Sequence, residues 1–248
     1  MSQKGESKTQ KSIAVEKARF IKRKKNVWTI RTSPGPHSKE FSVPLGFVVR
    51  EMLGIAGTLF EAKKILGMGS IVVNGVARKE PKFPVGLFDV LLLVESKKKY
   101  RLVFDDKGRL VLSEMEDKSP LEKVSKILFK KAVKKGLVQL TTDDGFVFLE
   151  KKTAFRPGDS LKISLPEKKI LDGLELKKGN MVYMIGGKKI GKTGTVLSVS
   201  DGTRSRPKLV GIEIDGKEIL TVEKNTMVIG KGTPSVDFGK AAKKSGIE

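Results

Sequence analysis

The sequence predicts an α+β protein that is mostly β. Helical spacing of apolar residues is clearest between residues 44 and 67, and short β-type runs bounded by Gly, Asn or Asp follow it. The chain has 248 residues, of which 38% are hydrophobic, 6% are aromatic and 26 are glycine. This composition permits a folded core and favours several small domains over a single large one.

The charge balance indicates a polyanionic partner. Fifty Lys and Arg residues outnumber 28 Asp and Glu residues, which gives a net charge of +22. A thermophilic ion-pair surface would raise Glu together with Lys, which is not the case here. Nucleic acid is the commonest partner of so basic a chain. The alternative is a basic globular protein without such a partner.

Composition also excludes several classes of site. There is no cysteine, so disulfide scaffolds, zinc ribbons, iron–sulfur centres and thiol nucleophiles are excluded. His37 is the only histidine, which excludes a multi-histidine metal site. Residues 1–6 lack the apolar core of a signal peptide, and the longest apolar stretch, residues 90–94, is too short to span a bilayer. We therefore expect a soluble, intracellular protein with no membrane partner.

Residues 1–42 are predicted to form a basic extension. It contains a run of four cations at residues 22–25 and no periodic apolar pattern, so it cannot fold alone. The prolines of residues 33–37 exclude helix and central strand there. One interpretation is a disordered, solvated tail. The other is an arm that folds along RNA, because Phe20 and Trp28 are interleaved with the bases; anchoring to the protein core is an equal alternative for Trp28.

Two helices are predicted in the next segment. The first follows Pro44 and ends near Gly54. The second begins after Thr58, which forms a capping box with Glu61, and ends at Gly67. The residues of the second helix expected to face inward are Leu59, Phe60, Ala62, Ile65 and Leu66.

Strands and turns are predicted for most of the remaining chain. Asn74 and Gly75 favour a type I′ hairpin turn, and Asp105 and Asp106 are interpreted as turn formers rather than catalytic acids. The predicted β runs are residues 71–73, 76–78, 90–94, 100–104, 110–113, 137–142, 146–149, 161–165, 181–185, 193–200, 209–214, 218–222 and 227–229. The last five are typical of a small antiparallel barrel.

For residues 120–134 the sequence does not decide between helix and strand. Apolar residues keep helical spacing from Val124 to Ala132, but the neighbouring runs are β. The lysines of this stretch are Lys123, Lys126, Lys130, Lys131, Lys134 and Lys135. They are interpreted as a solvated face, with a dedicated binding site as the alternative.

Residues 186–193 satisfy the G-x-x-x-x-G-K-T pattern of NTPase phosphate loops. That chemistry requires a strand before the loop and a helix after it. Residues 194–200 alternate and are rich in β-branched side chains, so a strand is predicted instead. The pattern is better interpreted as a basic β-turn in which Lys188, Lys189 and Lys192 project toward a phosphate backbone.

Two segments resemble known RNA-binding modules. KGNMV at 178–182, followed by GGK and GKTGTV up to residue 196, resembles the KOW motif, a β-loop-β element of SH3-like barrels in ribosomal and transcription-elongation proteins. TLFEAKKIL at 58–66, followed by IVVNG at 71–75, is similar to the RNA-binding fold named after bacterial ribosomal protein S-four. That family often has Ser-Arg where this chain has Thr58-Leu59, which removes a usual RNA-contacting arginine.

The order of the parts is more specific than either module. SPGPH at 33–37 precedes the first module and KFPVGLFDV at 82–90 follows it. VQL at 138–140 and ISLP at 163–166 then lead into the KOW segment. Over nearly the whole chain these residues resemble the e-type family number four of small-subunit ribosomal proteins in archaea and eukaryotes, and the compact length is more typical of archaea.

This resemblance implies a non-enzymatic protein that binds small-subunit rRNA and neighbouring ribosomal proteins. It would support subunit assembly and translation in the cytoplasm, as part of the ribosome, with no cofactor and no small-molecule substrate. It also favours strand for residues 123–134. The domains it implies are a basic extension at 1–42, an S-four-like RNA-binding domain at 43–113, a central β domain at 114–172, a KOW-type SH3-like barrel at 173–230 and a flexible tail at 231–248.

The expected RNA contacts follow from side-chain chemistry and from the resemblance. Arginine grips phosphate through two hydrogen bonds or stacks on a base, and lysine acts as a point charge. Trp28 and His37 lie near the expected bend of the arm. The candidate residues are Arg19, Lys22, Arg23, Lys24, Lys25, Trp28, Arg31, His37, Arg50, Lys63, Lys64, Arg78, Lys79, Lys82, Lys188, Lys189, Lys192, Arg204 and Arg206.

Three other functions are weighed against ribosomal RNA binding. A KOW-type transcription factor would bind polymerase, but it would need neither the basic arm nor the first module. An RNA-modifying enzyme would need a catalytic domain, for which the sequence offers no candidate. An NTPase would need the helix that residues 194–200 do not predict.

Overall fold

The computed structural model describes residues 9–116, 120–151, 153–203, 206–235 and 240–241. The chain forms two compact units. Unit 1 comprises Met1–Leu102, Arg109–Asp117 and Lys240–Glu248, and unit 2 comprises Val103–Gly108 and Lys118–Gly239. Most of the tail predicted at 231–248 lies outside the described residues, as does Arg204.

Strands are far more abundant than helices in the described chain, which confirms the mostly β prediction. The first nine strands are β1 Thr9–Lys11, β2 Trp28–Ile30, β3 Ser42–Pro44, β4 Ile71–Val73, β5 Val76–Ala77, β6 Pro84–Gly86, β7 Val90–Leu93, β8 Lys99–Phe104 and β9 Leu110–Glu114. The following strands are β10 Glu122–Ala132, β11 Val138–Thr142, β12 Val147–Glu150, β13 Ser160–Ser164, β14 Ile170–Leu174, β15 Met181–Met184, β16 Thr193–Ser200, β17 Leu209–Ile214, β18 Lys217–Val222, β19 Thr226–Gly230 and β20 Lys240–Ala241.

Unit 1 is built around a sheet in the order β20-β9-β8-β7-β4-β5. Two smaller antiparallel pairs, β1 with β2 and β3 with β6, complete its strands. The helical part begins with a short turn, α1 (Leu45–Phe47), which continues as the π-helical segment Val48–Met52. A second helix, α2, spans Leu59–Gly67. Both predicted helices are therefore present at the expected places.

The start of α2 is set by its capping box, as predicted. The Thr58 hydroxyl accepts the N–H of Glu61 at 3.2 Å, and the Glu61 carboxylate accepts the N–H groups of Thr58 and Gly57 at 3.3 and 2.9 Å. These bonds satisfy backbone donors that have no partner within the helix. The same backbone hydrogen bonds lower the pKa of Glu61.

One inward residue of α2 was predicted wrongly. Phe60 is 66% exposed, whereas Ala62 and Leu66 are fully buried. Phe60 and Lys64 are four residues apart and share one face of the helix, and the ammonium of Lys64 lies 4.8 Å from the centre of the Phe60 ring. Phe60 therefore belongs to the solvent face with the lysines.

Both predicted turns of the first half form. Asn74 and Gly75 have φ of 51° and 79° between β4 and β5, the positive values that a type I′ turn requires. The turn between β8 and β9 is closed by the N–H of Gly108, which donates to the carbonyl of Asp105 at 2.8 Å. The Asp105 side chain also accepts the N–H of Asp106, so these aspartates are turn formers as predicted.

Unit 2 contains two five-stranded antiparallel sheets. The first has the order β12-β11-β10-β13-β14, and the second has the order β18-β17-β16-β15-β19. Strands β10, β11 and β13 of the first sheet supply a buried core of Ile127, Leu140, Leu161 and Ile163. Residues 193–200 form β16, antiparallel to β15, so the phosphate-loop pattern is a turn between two strands.

Most of residues 120–134, for which the sequence did not decide between helix and strand, forms strand β10, Glu122–Ala132. Residues 123–127 are all buried, although successive side chains of a strand point to opposite faces. Both faces of this part of β10 are therefore covered. The pairing of β10 with β11 also shifts register between Ile127 and Phe129, which interrupts the alternation of a regular strand.

Replacing Thr58 by Ala should open α2 locally. Loss of an N-cap side chain costs about 1 kcal/mol, which corresponds to roughly fivefold faster exchange at 25 °C if the helix opens locally. Hydrogen exchange of the backbone amides of Leu59–Gly67 measures this directly. Glu61→Gln is the matched control, because an amide oxygen still accepts the N-cap N–H groups. Equal exchange rates in Thr58→Ala and in the unmodified chain would contradict the role of the cap.

Candidate RNA-binding surface

The basic arm, which comprises residues 9–42 of the described chain, packs on the rest of unit 1. Ser33 donates its backbone N–H and its hydroxyl to the carbonyl of Lys82, at 2.9 and 3.0 Å. The N–H of Leu110 donates to the carbonyl of Ala18 at 2.7 Å. Residues 9–42 are thus ordered by contacts within the chain, and the interpretation as a disordered tail is wrong for them.

Arg19 is buried, which corrects its assignment as an RNA contact. Its side chain is 3% exposed and donates to the carbonyl of Ile30 at 2.7 Å. The guanidinium lies 5.4 Å from the centre of the Phe47 ring. Burial lowers the pKa of Arg19 to about 10. Arg19 therefore holds strand β2 in place and does not present its charge to a phosphate.

His37 is the second correction. Its side chain is 8% exposed, and Nε2 lies 2.9 Å from Oδ2 of the buried Asp89. The ring covers Gly86 so closely that a Cβ at that position would lie 2.4 Å from it. His37 fixes the arm to the segment that carries Gly86 and Asp89. Its ring is therefore not available to stack on RNA.

The other cations of the arm are exposed. Lys22, Arg23, Lys24 and Lys25 lie on the surface of the segment between β1 and β2, and Arg31 follows β2. Arg23 also donates to the carbonyls of Ile13 and Val15, at 3.0 and 3.2 Å. The guanidinium of Arg23 thus stabilises the segment that carries its neighbours.

A cleft of about 890 Å³ brings candidate residues from separate segments together. Trp28 of β2 is 57% exposed and lines it, so the alternative in which Trp28 anchors the arm in the core is wrong. The candidate cations that line the cleft are Arg50, Lys63, Lys79 and Lys82. Glu80 is the one carboxylate among the described lining residues. The cleft is therefore positively charged and carries an aromatic side chain.

The remaining candidates of unit 1 lie beside aromatic rings. Lys64 is exposed next to Phe60, and the guanidinium of Arg78 lies 4.5 Å from the centre of the Phe83 ring. Such cation–π contacts leave the charge available to a phosphate on the open side. These two residues are surface candidates outside the cleft lining.

Unit 2 presents its candidates on the turn between β15 and β16. Lys188 and Lys189 are exposed there. Lys192 is half-buried and forms an ion pair with Asp215, and its hydrogen bond lowers the pKa of Asp215. Arg206 is exposed ahead of β17. The turn is basic, as predicted, but part of its charge is balanced within the chain.

Two lysines of β10 are internal, so the solvated face predicted for that run is wrong for them, whereas Lys130, Lys131 and Lys134 are exposed. Lys123 is fully buried and pairs with Asp144 at 2.7 Å. Lys126 donates to the carbonyls of Glu223 and Thr226, at 2.6 and 2.7 Å. Burial lowers the pKa of Lys126 to about 8. These lysines therefore connect segments of unit 2.

Sequence reasoning missed the uncharged part of the cleft. Asn26, Val27, Leu59 and Pro81 line it beside the cations. Nothing in their local sequence distinguishes them from other polar or apolar residues, because they meet only when the arm lies on the module. Among the described residues, no helix is long and apolar enough to cross a membrane, and no group of three or more His, Cys, Asp or Glu could hold a metal ion.

Comparison with known proteins identifies the family. The profile of the RS4NT domain matches residues 4–40, and that of ribosomal family S4e matches residues 96–170. The chain is 39% identical to small ribosomal subunit protein eS4 of Archaeoglobus fulgidus, over 93% of this chain and 97% of the relative. The chain belongs to ribosomal family S4e. The protein of the same name from Methanosphaera stadtmanae is 35% identical, over 96% and 98% of the two chains.

The solved structures agree with this membership. The crystal structure of 30S ribosomal protein S4e from Thermoplasma acidophilum matches with a TM-score of 0.68 and 29% identity. The match covers 79% of this chain and 98% of that one. The S4e fold is thus shared, and the predicted family is confirmed.

The buried Lys126 predicts a pH dependence of stability in unit 2. Its pKa is about 8 in the folded chain, against 10.5 for an unburied lysine. Between these values the unfolded chain binds more protons, so the free energy of unfolding should rise with pH from about 8 to 10. Urea unfolding across that range should show a rise that Lys126→Met removes.

Lys130→Met is the matched control for this prediction. Lys130 lies on the same strand and also donates to two carbonyls, those of Thr153 and Phe155, but it is exposed. This variant should keep the rise. An NMR titration of the lysine side chains that found the Lys126 midpoint near 10.5 would contradict the assignment.

Proposed function

We propose that this chain is a structural constituent of the small ribosomal subunit and that it binds rRNA through its basic surfaces and its arm. The observation that carries the proposal is the cleft of unit 1, where cations from three segments meet beside Trp28. Family membership supports it, because the relatives are named small ribosomal subunit proteins. The net charge of +22 supports it independently.

The proposed contacts are the candidate cations that are exposed or half-buried. In unit 1 they are Lys22, Arg23, Lys24, Lys25, Arg31, Arg50, Lys63, Lys64, Arg78, Lys79 and Lys82, together with Trp28. In unit 2 they are Lys188, Lys189, Lys192 and Arg206. Binding neutralises phosphates and releases counterions from the RNA, so affinity should fall steeply with salt.

The proposed role is non-enzymatic and cytoplasmic, within the ribosome, and needs neither a cofactor nor a small-molecule substrate. Neighbouring ribosomal proteins are further proposed partners. The boundaries at residues 42, 113, 172 and 230 are the proposed division into extension, S-four-like module, central β domain, KOW-type barrel and tail. The basic turn at residues 186–193 is the proposed RNA contact of the KOW segment.

Neutral variants of the α2 lysines test the RNA contacts. Lys63→Gln and Lys64→Gln should each make the slope of log K against log salt shallower by roughly 0.7 to 0.9, because one phosphate contact is lost. Binding of the full chain to purified small-subunit rRNA across a salt series gives the slope. Lys169→Gln is the matched control, since Lys169 is exposed in unit 2 and is already paired with Glu167 at 2.6 Å. An unchanged slope in both α2 variants would remove these residues from the contact set.

Sedimentation tests the function as a whole. A cell lysate is run through sucrose gradients at low and at moderate salt, and the fractions are blotted for this chain. We expect it to sediment with small subunits in both, because many phosphate contacts act together. Migration as free protein, or with RNA polymerase, would reject the ribosomal role and favour a KOW-type transcription factor.

A further inference from the structure

The exposure of Trp28 in the cleft calls for a ligand with a flat apolar face. Indole rings are among the side chains that gain most from burial, and they are normally covered. Val27, which is also exposed, and Pro81 line the same cleft. A nucleobase fits this requirement, because every base has a π-face that stacks on an aromatic ring.

The charged residues around the cleft indicate that the ligand also carries negative charge. Lys63 of α2 and Lys79 of the segment after β5 are exposed and form no ion pair within the described part of the chain. Arg50 shares its charge with Glu51, at 2.8 Å. Ammonium groups on the rim beside an aromatic wall match a phosphodiester next to a base.

The exposed ring of Trp28 distinguishes single strands from duplexes. An RNA helix keeps its bases stacked inside and shows mainly phosphates and 2′-hydroxyls. Away from its ends it could contact the lysines, but it could not place a base against Trp28. The cleft volume of about 890 Å³ lies within the range of sites for small organic groups.

We propose that this cleft binds an unpaired nucleotide of RNA, with its base stacked on the indole of Trp28 and its phosphates on Lys63 and Lys79. The inference rests on the proposed RNA-binding function and adds to it a preference for unpaired bases at one site. Asn26, which lines the cleft and is exposed, lies where it could form a hydrogen bond with a base edge.

Fluorescence of the unmodified chain tests the stacking directly, because Trp28 is its only tryptophan. The full chain is titrated with a short oligouridine, with an abasic strand of the same length and with a long RNA duplex, which has few ends for its number of phosphates. Labelled RNA reports binding by anisotropy in each titration. We expect oligouridine to quench Trp28 strongly, and the abasic strand and the duplex to bind with little quenching.

Variants separate stacking from charge. Trp28→Ala should weaken oligouridine binding by roughly 5- to 150-fold, the effect of losing one base–aromatic stack. Its affinity for the abasic strand should stay unchanged, and Trp28→Phe should restore most of the loss. Phe60→Ala is the matched control, because Phe60 is also an exposed aromatic residue of unit 1, lies beside a lysine and does not line the cleft.

Each other outcome overturns the inference. Equal quenching by the abasic strand would show that charge, not a base, approaches Trp28. RNA binding without quenching, or equal losses in Trp28→Ala and Phe60→Ala, would reject this site and leave the proposed function standing. An absence of RNA binding in all titrations would reject both. The quenching measurement needs no variant, so it decides the question even if Trp28→Ala does not fold.

Discussion

The carboxylate of Asp89 joins three parts of unit 1 that are far apart in the sequence. Oδ2 lies 2.9 Å from Nε2 of His37 and accepts the N–H of Gly86 at 2.8 Å, and Oδ1 accepts the side-chain amide of Asn74 at 2.7 Å. Asn74 in turn accepts the N–H of Val90. A buried carboxylate without such partners would be strongly destabilising. The arm, the β4–β5 hairpin and the strand pair β3–β6 therefore stabilise one another.

The cleft depends on this docking of the arm. One wall belongs to β2 of the arm, which carries Trp28, and the other belongs to the module, which carries Lys63 and Lys79. Arg19 holds β2 from inside through the carbonyl of Ile30. The two arm residues wrongly assigned to RNA thus have a structural role that positions Trp28. A basic residue in such an arm contributes to binding either directly or by fixing the wall that carries the contact.

Local signals predicted the fold well, and distant partners could not be predicted. The capping box of Thr58 and Glu61 and the Asn74 turn need only residues a few positions apart, so the sequence contains the whole signal. The burial of Arg19 and His37 depends on partners 11 and 52 positions away. A histidine or arginine in a basic run gives no sign of such a partner. The sequence alone therefore could not separate inward from outward cations.

The division between inward and outward cations determines how the surface meets RNA. Lys123 and Lys126 are used inside unit 2, where Asp144 and backbone carbonyls satisfy them. Lys63 and Lys79, in contrast, are exposed in a cleft that the chain forms without RNA. Because the arm is already ordered by its own hydrogen bonds, RNA binding need not order the segment that carries Trp28. The conformational entropy of the arm is therefore lost when the chain folds and not when RNA binds. For this reason a preformed cleft binds its ligand more tightly than a mobile arm with the same residues would.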